Sequence, residues 1–280
     1  MTTRFRRHVL AESRSQSART ARPAWSALAA AACALALASF ATGATPSSVH
    51  RAAALSYVRA RADVLDPDAR LLHAAKVNEF GGVWRLPADH KVIALTFDDG
   101  PYPFYTPLLL HVLERSQIHA TFFVVGRNAQ EFPELVSRIV HSGDEIGNHT
   151  FNHYKLTFLN DAQITHQIRS CGSELRQFTG RPITLFRPPH GRYDRRVMSI
   201  ARTLGYRTIF WSDSPEDTKD ISPALLVQRV LHQAQPGAIV LMHSGQYKTV
   251  VALPVIIAKL RERGYTFATV GELLADPDPN

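Results

Sequence analysis

The chain has 280 residues, with 32 Lys+Arg against 24 Asp+Glu, 13 histidines and two cysteines. Six bases (Arg4, Arg6, Arg7, Arg14, Arg19 and Arg22) and one acid fall in the first 44 positions, so the remainder carries 26 bases against 23 acids, a net +3. That near balance, without a Lys/Arg run or stripe, excludes a nucleic-acid surface, and Cys171 as the one cysteine outside the leader excludes a disulfide scaffold.

After the basic lead-in, positions 26 to 44 are uncharged and rich in Ala and Leu. Residues 1–44 therefore read as a signal peptide, or as an uncleaved N-terminal membrane anchor, because about 18 apolar residues just span a bilayer. Either reading implies an exported protein of the periplasm, cell envelope or extracellular space, touching membrane only through this segment. Residues 45–90 read as a linker and helical lead-in: Leu55, Val58, Ala62 and Leu65 share a helical face, Pro67 interrupts it, and an irregular stretch follows through Gly81, Gly82 and Trp84.

From Lys91 onward, short apolar runs at 91–97, 119–125, 144–148, 183–187, 206–211, 238–242 and 265–269 read as strands. Helical patterns at 106–117, 130–141, 161–178, 194–204, 222–234 and 251–263 fill the gaps. Such alternation predicts parallel strands joined by crossovers, in an open doubly wound sheet or an incomplete barrel. The polar residues are placed unevenly on this pattern. Asp98-Asp99, Asn148-His149, Arg187-Pro188-Pro189-His190, Asp213 with Asp217, and His243 all follow the C-terminal ends of strands. In a parallel α/β protein those ends converge on one face, where sites form.

His149 and His153 are four residues apart, so one helical turn would present both imidazoles to a single point. With a carboxylate from the adjacent pair Asp98-Asp99 they make a His₂-carboxylate set suited to a divalent metal, zinc best of all, with positions left open. The second carboxylate stays free to act as a base, Arg187 is placed to orient it, and His243 at the end of an apolar strand suits a general acid. His111, His119, His141, His166 and His232 fall on helices or their ends and read as surface or packing residues.

In this order, Thr96-Phe97-Asp98-Asp99-Gly100, His149 to His153, Arg187-Pro188-Pro189-His190-Gly191 and Leu241-Met242-His243 resemble the motifs of the polysaccharide deacetylases of carbohydrate esterase family four, the nodulation-type chitooligosaccharide deacetylase domain. The resemblance spans roughly residues 91–275. It implies a distorted seven-stranded (β/α) barrel and a metal-dependent hydrolase that frees acetate from N-acetylhexosamine units of a glycan such as a chitooligosaccharide or peptidoglycan. It further implies Asp98 as base, Asp99, His149 and His153 as metal ligands, His243 as acid and Arg187 as the group that orients Asp98. Leu241 and Trp211 would line the substrate pocket, and the backbone N–H of His190 would face the oxyanion.

Two motifs depart from the family pattern. His190 stands where tyrosine is usual, and in Trp211-Ser212-Asp213-Ser214-Pro215-Glu216-Asp217-Thr218 the fourth motif has Ser214 for its first aspartate and Thr218 for its tryptophan. This leaves the partner of His243 open, with Asp213, one position out of place, and Asp217 as the candidate carboxylates. O-deacetylation of an acetylated polysaccharide and non-catalytic glycan binding are the competing functions.

Overall fold

The computed structural model describes residues 76–86, 88 and 90–275. The predicted leader, and the linker and helical lead-in up to residue 75 with its face through Leu55 to Leu65, lie outside the described residues. All seven predicted strands are present: β3 (Val92–Asp98), β4 (Thr121–Val124), β5 (Glu145–Asn148), β6 (Leu185–Phe186), β7 (Arg207–Thr208), β8 (Ala238–His243) and β9 (Thr266–Phe267).

Two strands were not expected. The stretch read as an irregular end to a helical lead-in forms β1 (Lys76–Val77) and β2 (Val83–Arg85), an antiparallel pair. The Asn78 side chain folds the turn between them by accepting from the N–H groups of Phe80 (3.1 Å) and Gly82 (2.8 Å), and Gly81 takes φ +82°. Val83-Trp84-Arg85 then has the branched and aromatic composition of a strand, which a helical reading of this region had passed over.

The sheet runs β1-β2-β8-β3-β4-β5-β6-β7, with β9 paired to the start of β3. Beyond β7 the chain curls back: Ile209 bridges Val83, and Asp213 bridges Val240 of β8. The curled parallel sheet and its helices make the expected distorted (β/α) barrel. Outside it run α1 (Tyr105–Arg115), α2 (Gly126–Glu131), α3 (Pro133–His141), α4 (Asp161–Thr179), α5 (Arg195–Thr203), α6 (Pro223–Gln233), α7 (Tyr247–Glu262) and α8 (Val270–Ala275). Where one helix was expected over 130–141 there are two, because Phe132 leaves helical geometry and Pro133 starts the next helix. Three other helices carry their own capping signals. Asn160 and Gln163 form a capping box on α4, which ends at left-handed Gly180, and Asp194 and Ser222 cap α5 and α6.

Strand periodicity sorts the side chains into two layers. On β3, Ile93, Leu95 and Phe97 point outward into the helix layer, as do Ala238, Val240 and Met242 on β8. The alternate positions face the barrel interior, where Ala94, Phe123, Leu185, Ile209 and Ile239 pack together. Thr96 and Asp98 on β3, Leu241 and His243 on β8, and Arg187 after β6 continue that inward row toward the C-terminal mouth. Cys171 is buried in α4, and burial pushes its thiol up to about 12. Among the described residues no helix is long and apolar enough to cross a membrane.

Leu95 is fully buried between β8 and the helices. Leu95→Ala is expected to lower unfolding free energy by about 2–5 kcal/mol, while Val251→Ala on the exposed side of α7 changes it by less than about 0.5 kcal/mol, as read from denaturant midpoints.

Candidate active site

β3 ends with two carboxylates that part company at once. Asp98 continues the strand and faces the barrel interior, whereas Asp99 takes the left-handed conformation, φ +73°. That rotation sends the two side chains to different neighbours. The Asp99 turn is held from outside by Asn128, whose Nδ2 donates to the Asp99 carbonyl at 2.8 Å.

Asp98 meets Arg187, the largest fully buried side chain among the described residues. Arg187 Nη1 donates to Asp98 Oδ1 at 2.7 Å and to Thr96 Oγ1 at 2.8 Å, while Nε and Nη2 donate to the carbonyls of Ile209 and Phe210. Its guanidinium lies 4.0 Å from the centre of the Phe123 ring. Burial draws the Arg187 pKa down and the Asp98 charge opposes this, so the cation persists only because its partners saturate it. Removing one member of such a pair costs about 3–5 kcal/mol.

Asp99 meets the histidines. Its Oδ1 lies 3.0 Å from His153 Nε2 and 3.3 Å from His149 Nε2. Burial alone would raise the Asp99 carboxyl, but the two imidazoles more than offset it and hold it well below the usual carboxylate range. The histidines do not share a helical turn as their spacing suggested. The chain after β5 is a loop in which Thr150 (φ +66°) and His153 (φ +59°) are both left-handed. Side chains replace helical hydrogen bonds there: Asn148 Oδ1 accepts from Thr150 N, Thr150 Oγ1 from His153 N, and Gln167 Oε1 from Asn152 N.

One oxygen of Asp99 and one nitrogen each of His149 and His153 lie within 4.8 Å of one another, the one such group among the described residues. The donor chemistry fits a divalent cation. His149 Nδ1 faces the Arg187 carbonyl at 2.8 Å and must donate to it, which in a neutral ring leaves Nε2 bare. That bare nitrogen faces Asp99 at 3.3 Å and Asp98 Oδ2 at 3.7 Å. Acceptors so opposed require a positive charge among them, a proton or a metal.

His243 stands beside Asp98 on the adjacent strand, the two residues being in register between β3 and β8. Its partner is Asp217 and not Asp213. Asp217 Oδ1 lies 2.8 Å from His243 Nδ1, and Oδ2 accepts from the His243 backbone N–H and from Thr249 Oγ1, each at 2.7 Å. Burial works to lower the His243 pKa, and the hydrogen bond and charge of Asp217, joined by Asp98 and Asp99, raise it to about 9.

The other candidate, Asp213, is kept from His243 by the strand register. Asp213 is in register with Val240, whose side chain points into the helix layer, whereas His243 faces the interior. Its carboxylate is fully buried with no hydrogen-bond partner, and desolvation raises it to about 8.

The remaining expected residues gather at the same mouth. Leu241 is buried one inward position before His243. His190 is exposed, left-handed (φ +60°) and 4.8 Å from the His153 ring, and Trp211 packs against Gly191 with its ring 5.7 Å from the Arg187 guanidinium. Thr96, Thr249 and Gln167 were missed. The only signal for Thr96 was its inward place two residues before Asp98, and the others reach the site from helices or through backbone contacts that no spacing reveals.

A cluster that could hold a cation, a clamped carboxylate and a His–Asp pair at the C-terminal mouth of a parallel barrel are the parts a metal-assisted hydrolase needs. Residues 85–209 match the family model described as polysaccharide deacetylase. The peptidoglycan-N-acetylglucosamine deacetylase of Bacillus cereus is 39% identical over 196 residues, covering 68% of this chain and 92% of that protein. Among solved structures, the Bc1960 peptidoglycan N-acetylglucosamine deacetylase superposes with a TM-score of 0.67 at 33% identity, over 69% of this chain and 92% of that one. The wild-type pseudoenzyme of family-four carbohydrate esterases from Bacillus anthracis gives 0.67 at 32% identity, over 70% of each chain. This chain belongs to the polysaccharide deacetylase family, whose family-four members depend on a divalent metal.

Asp213 sets a pH test. Its folded pKa lies above the usual 3.8, so its contribution to stability is complete below about pH 3.8 and is lost as pH rises through about 8. Asp213→Asn should therefore gain on the wild type between pH 5 and pH 9, by about 1–3 kcal/mol, in urea unfolding at both pH values.

Proposed function

We propose that the protein is an N-deacetylase acting on N-acetylhexosamine units of an envelope glycan, with peptidoglycan the favoured substrate because the relatives named above are peptidoglycan deacetylases. The observation that carries this reading is the pairing of Asp98 and His243 on adjacent rungs of the β3–β8 ladder, each held by its own buried partner, beside the Asp99–His149–His153 cluster.

Asp99, His149 and His153 would hold the metal, and zinc suits two imidazoles and one carboxylate. When bound, a divalent ion supplies Lewis-acid polarisation of the acetyl carbonyl and offsets negative charge at the reacting centre. Asp98 acts as the base. Arg187 holds its Oδ1, which leaves Oδ2 directed at the cluster to take a proton from the attacking water. The new C–O bond makes a tetrahedral centre at the acetyl carbon, and the backbone N–H of His190 faces its oxyanion.

Collapse of that centre breaks the C–N bond. The leaving nitrogen must gain a proton, because an amide anion is too basic to depart, and His243 gives it from its Nε2 side while Asp217 holds Nδ1. Acetate and a free amine result. A histidine raised to about 9 arrives charged at neutral pH, which suits an amine leaving group and favours N- over O-deacetylation. Base, ligand set and acid are all retained, which supports turnover over glycan binding alone. Leu241 and Trp211 wall the space beside the acetyl methyl, and an exported, envelope location follows from the nature of the substrate.

Asp98→Asn should lower kcat on acetylated glycan by about 10²–10⁴-fold while metal content, measured by elemental analysis, is unchanged. Full activity in that variant removes Asp98 as base. Chelation should abolish acetate release and added divalent ion restore it, whereas His153→Ala should lose bound metal. The kcat/KM profile should fall as pH rises through about 9, and Asp217→Asn should move that limb to lower pH while Asp213→Asn leaves it in place.

A further inference from the structure

A second concave site opens at the opposite end of the strands. β5 and β6 pair only through Asn148 and Phe186, at their C-terminal ends. Toward their N-terminal ends the wall of the barrel parts. A cavity of about 830 Å³ lies there, bordered by Glu145 and Ile146 on one side and by Ile183 and Leu185 on the other, with Gly271 and Glu272 of α8 at its edge. Three carboxylates line it, Asp144, Glu145 and Glu272, against one base, Arg181.

Each carboxylate is held by one oxygen, and none by a cation. Asp144 Oδ1 accepts from Ala120 N at 2.8 Å, Glu145 Oε2 from Thr121 Oγ1 and Gly271 N at 2.9 Å each, and Glu272 Oε2 from Thr269 N at 2.7 Å. Among the described residues the second oxygen of each accepts no hydrogen bond, and none of the three forms an ion pair. Asp144 is only 7% exposed, so a carboxylate more than nine-tenths buried turns an unmet oxygen to the cavity. Burial pushes it up to about 7 and raises Glu145 as well, with Glu272 adding to that rise and Arg181 opposing it. Asp98 and Asp217 are buried as deeply, but each has Arg187 or His243 beside it.

We propose that this cavity binds an aliphatic chain carrying two or more ammonium groups, the cations at Asp144, Glu145 and Glu272 and the methylenes along Val140, Ile146, Ile183 and Leu185. The three carboxylates do not bring their oxygens within 4.8 Å of one another as Asp99 and its histidines bring their ligand atoms. They therefore make no compact cage for a single metal ion. Negative charge spread along an apolar wall matches a chain bearing several cations, because an ammonium offers three donors and its stem offers apolar surface. An ammonium seated beside Asp144 supplies the counter-charge that a buried carboxylate requires.

Titration calorimetry of the full chain at neutral pH and low salt tests this with spermidine, hexylamine and the peptide acetyl-Lys-Ala-Lys-amide. Spermidine or the peptide should bind more tightly than hexylamine; the tighter of the two assigns the source, a free polyamine or the lysines of a protein. Asp144→Asn keeps an oxygen to accept from Ala120 N, and should weaken binding about tenfold; Glu272→Gln should weaken it about threefold. Glu114→Gln, a charge change on the exposed side of α1, and Asp99→Asn at the other end of the barrel should bind as the wild type does. If circular dichroism shows Asp144→Asn unfolded, Glu272→Gln carries the comparison. Absence of binding in the wild type, equal affinity for hexylamine, an equal loss in Glu114→Gln, or a loss confined to Asp99→Asn each overturns the proposal. So does displacement of spermidine by calcium chloride at matched ionic strength, which would make the cavity a metal site.

Discussion

Arg187 is the constraint on which the site depends. Its guanidinium joins β3 to the segment after β7 by donating to Asp98, Thr96 and the carbonyls of Ile209 and Phe210, and its own carbonyl receives the Nδ1 proton of His149. One residue therefore sets the orientation of a carboxylate and the tautomer of an imidazole. A fully desolvated cation is costly unless every donor is met. Here the polar partners and the face of Phe123 meet it, and a change at any of them is transmitted to the site.

The site keeps its two carboxylates apart by giving each its own partners. Asp98 and Asp99 are neighbours in sequence, yet the left-handed turn at Asp99 hands one to Arg187 and the other to two histidines. His243 is kept charged by Asp217, which grips the ring and the backbone of the same residue and is braced by Thr249 from α7. The result is a carboxylate and an imidazole side by side on adjacent strands, each held by a buried partner of its own.

Much of this was legible from the residues alone. All seven parallel strands were marked by apolar runs, and the strand-end positions of Asp98, His149, Arg187 and His243 correctly placed them on one face. What failed did so for local reasons. The i, i+4 spacing of His149 and His153 suggested a helical turn, but two left-handed residues and three side-chain hydrogen bonds bring the rings together in a loop. The altered fourth motif left Asp213 and Asp217 both open as partners of His243, and only the strand register shows that Asp213 points away from it. The β1–β2 pair was hidden by its short strands, whose pairing depends on a turn made by one asparagine and on contacts with β8 distant in sequence.

The register of Asp98 against His243 has a consequence for how such proteins diversify. The proposed base and acid sit on neighbouring strands of one parallel ladder, so their separation is set by the fixed distance between strands and not by any loop. The backbone acts as a ruler for the chemistry. Loops around the mouth are then free to lengthen, shrink or change composition as substrates change, because no such change alters the spacing at which a proton leaves one side of the reacting centre and arrives on the other.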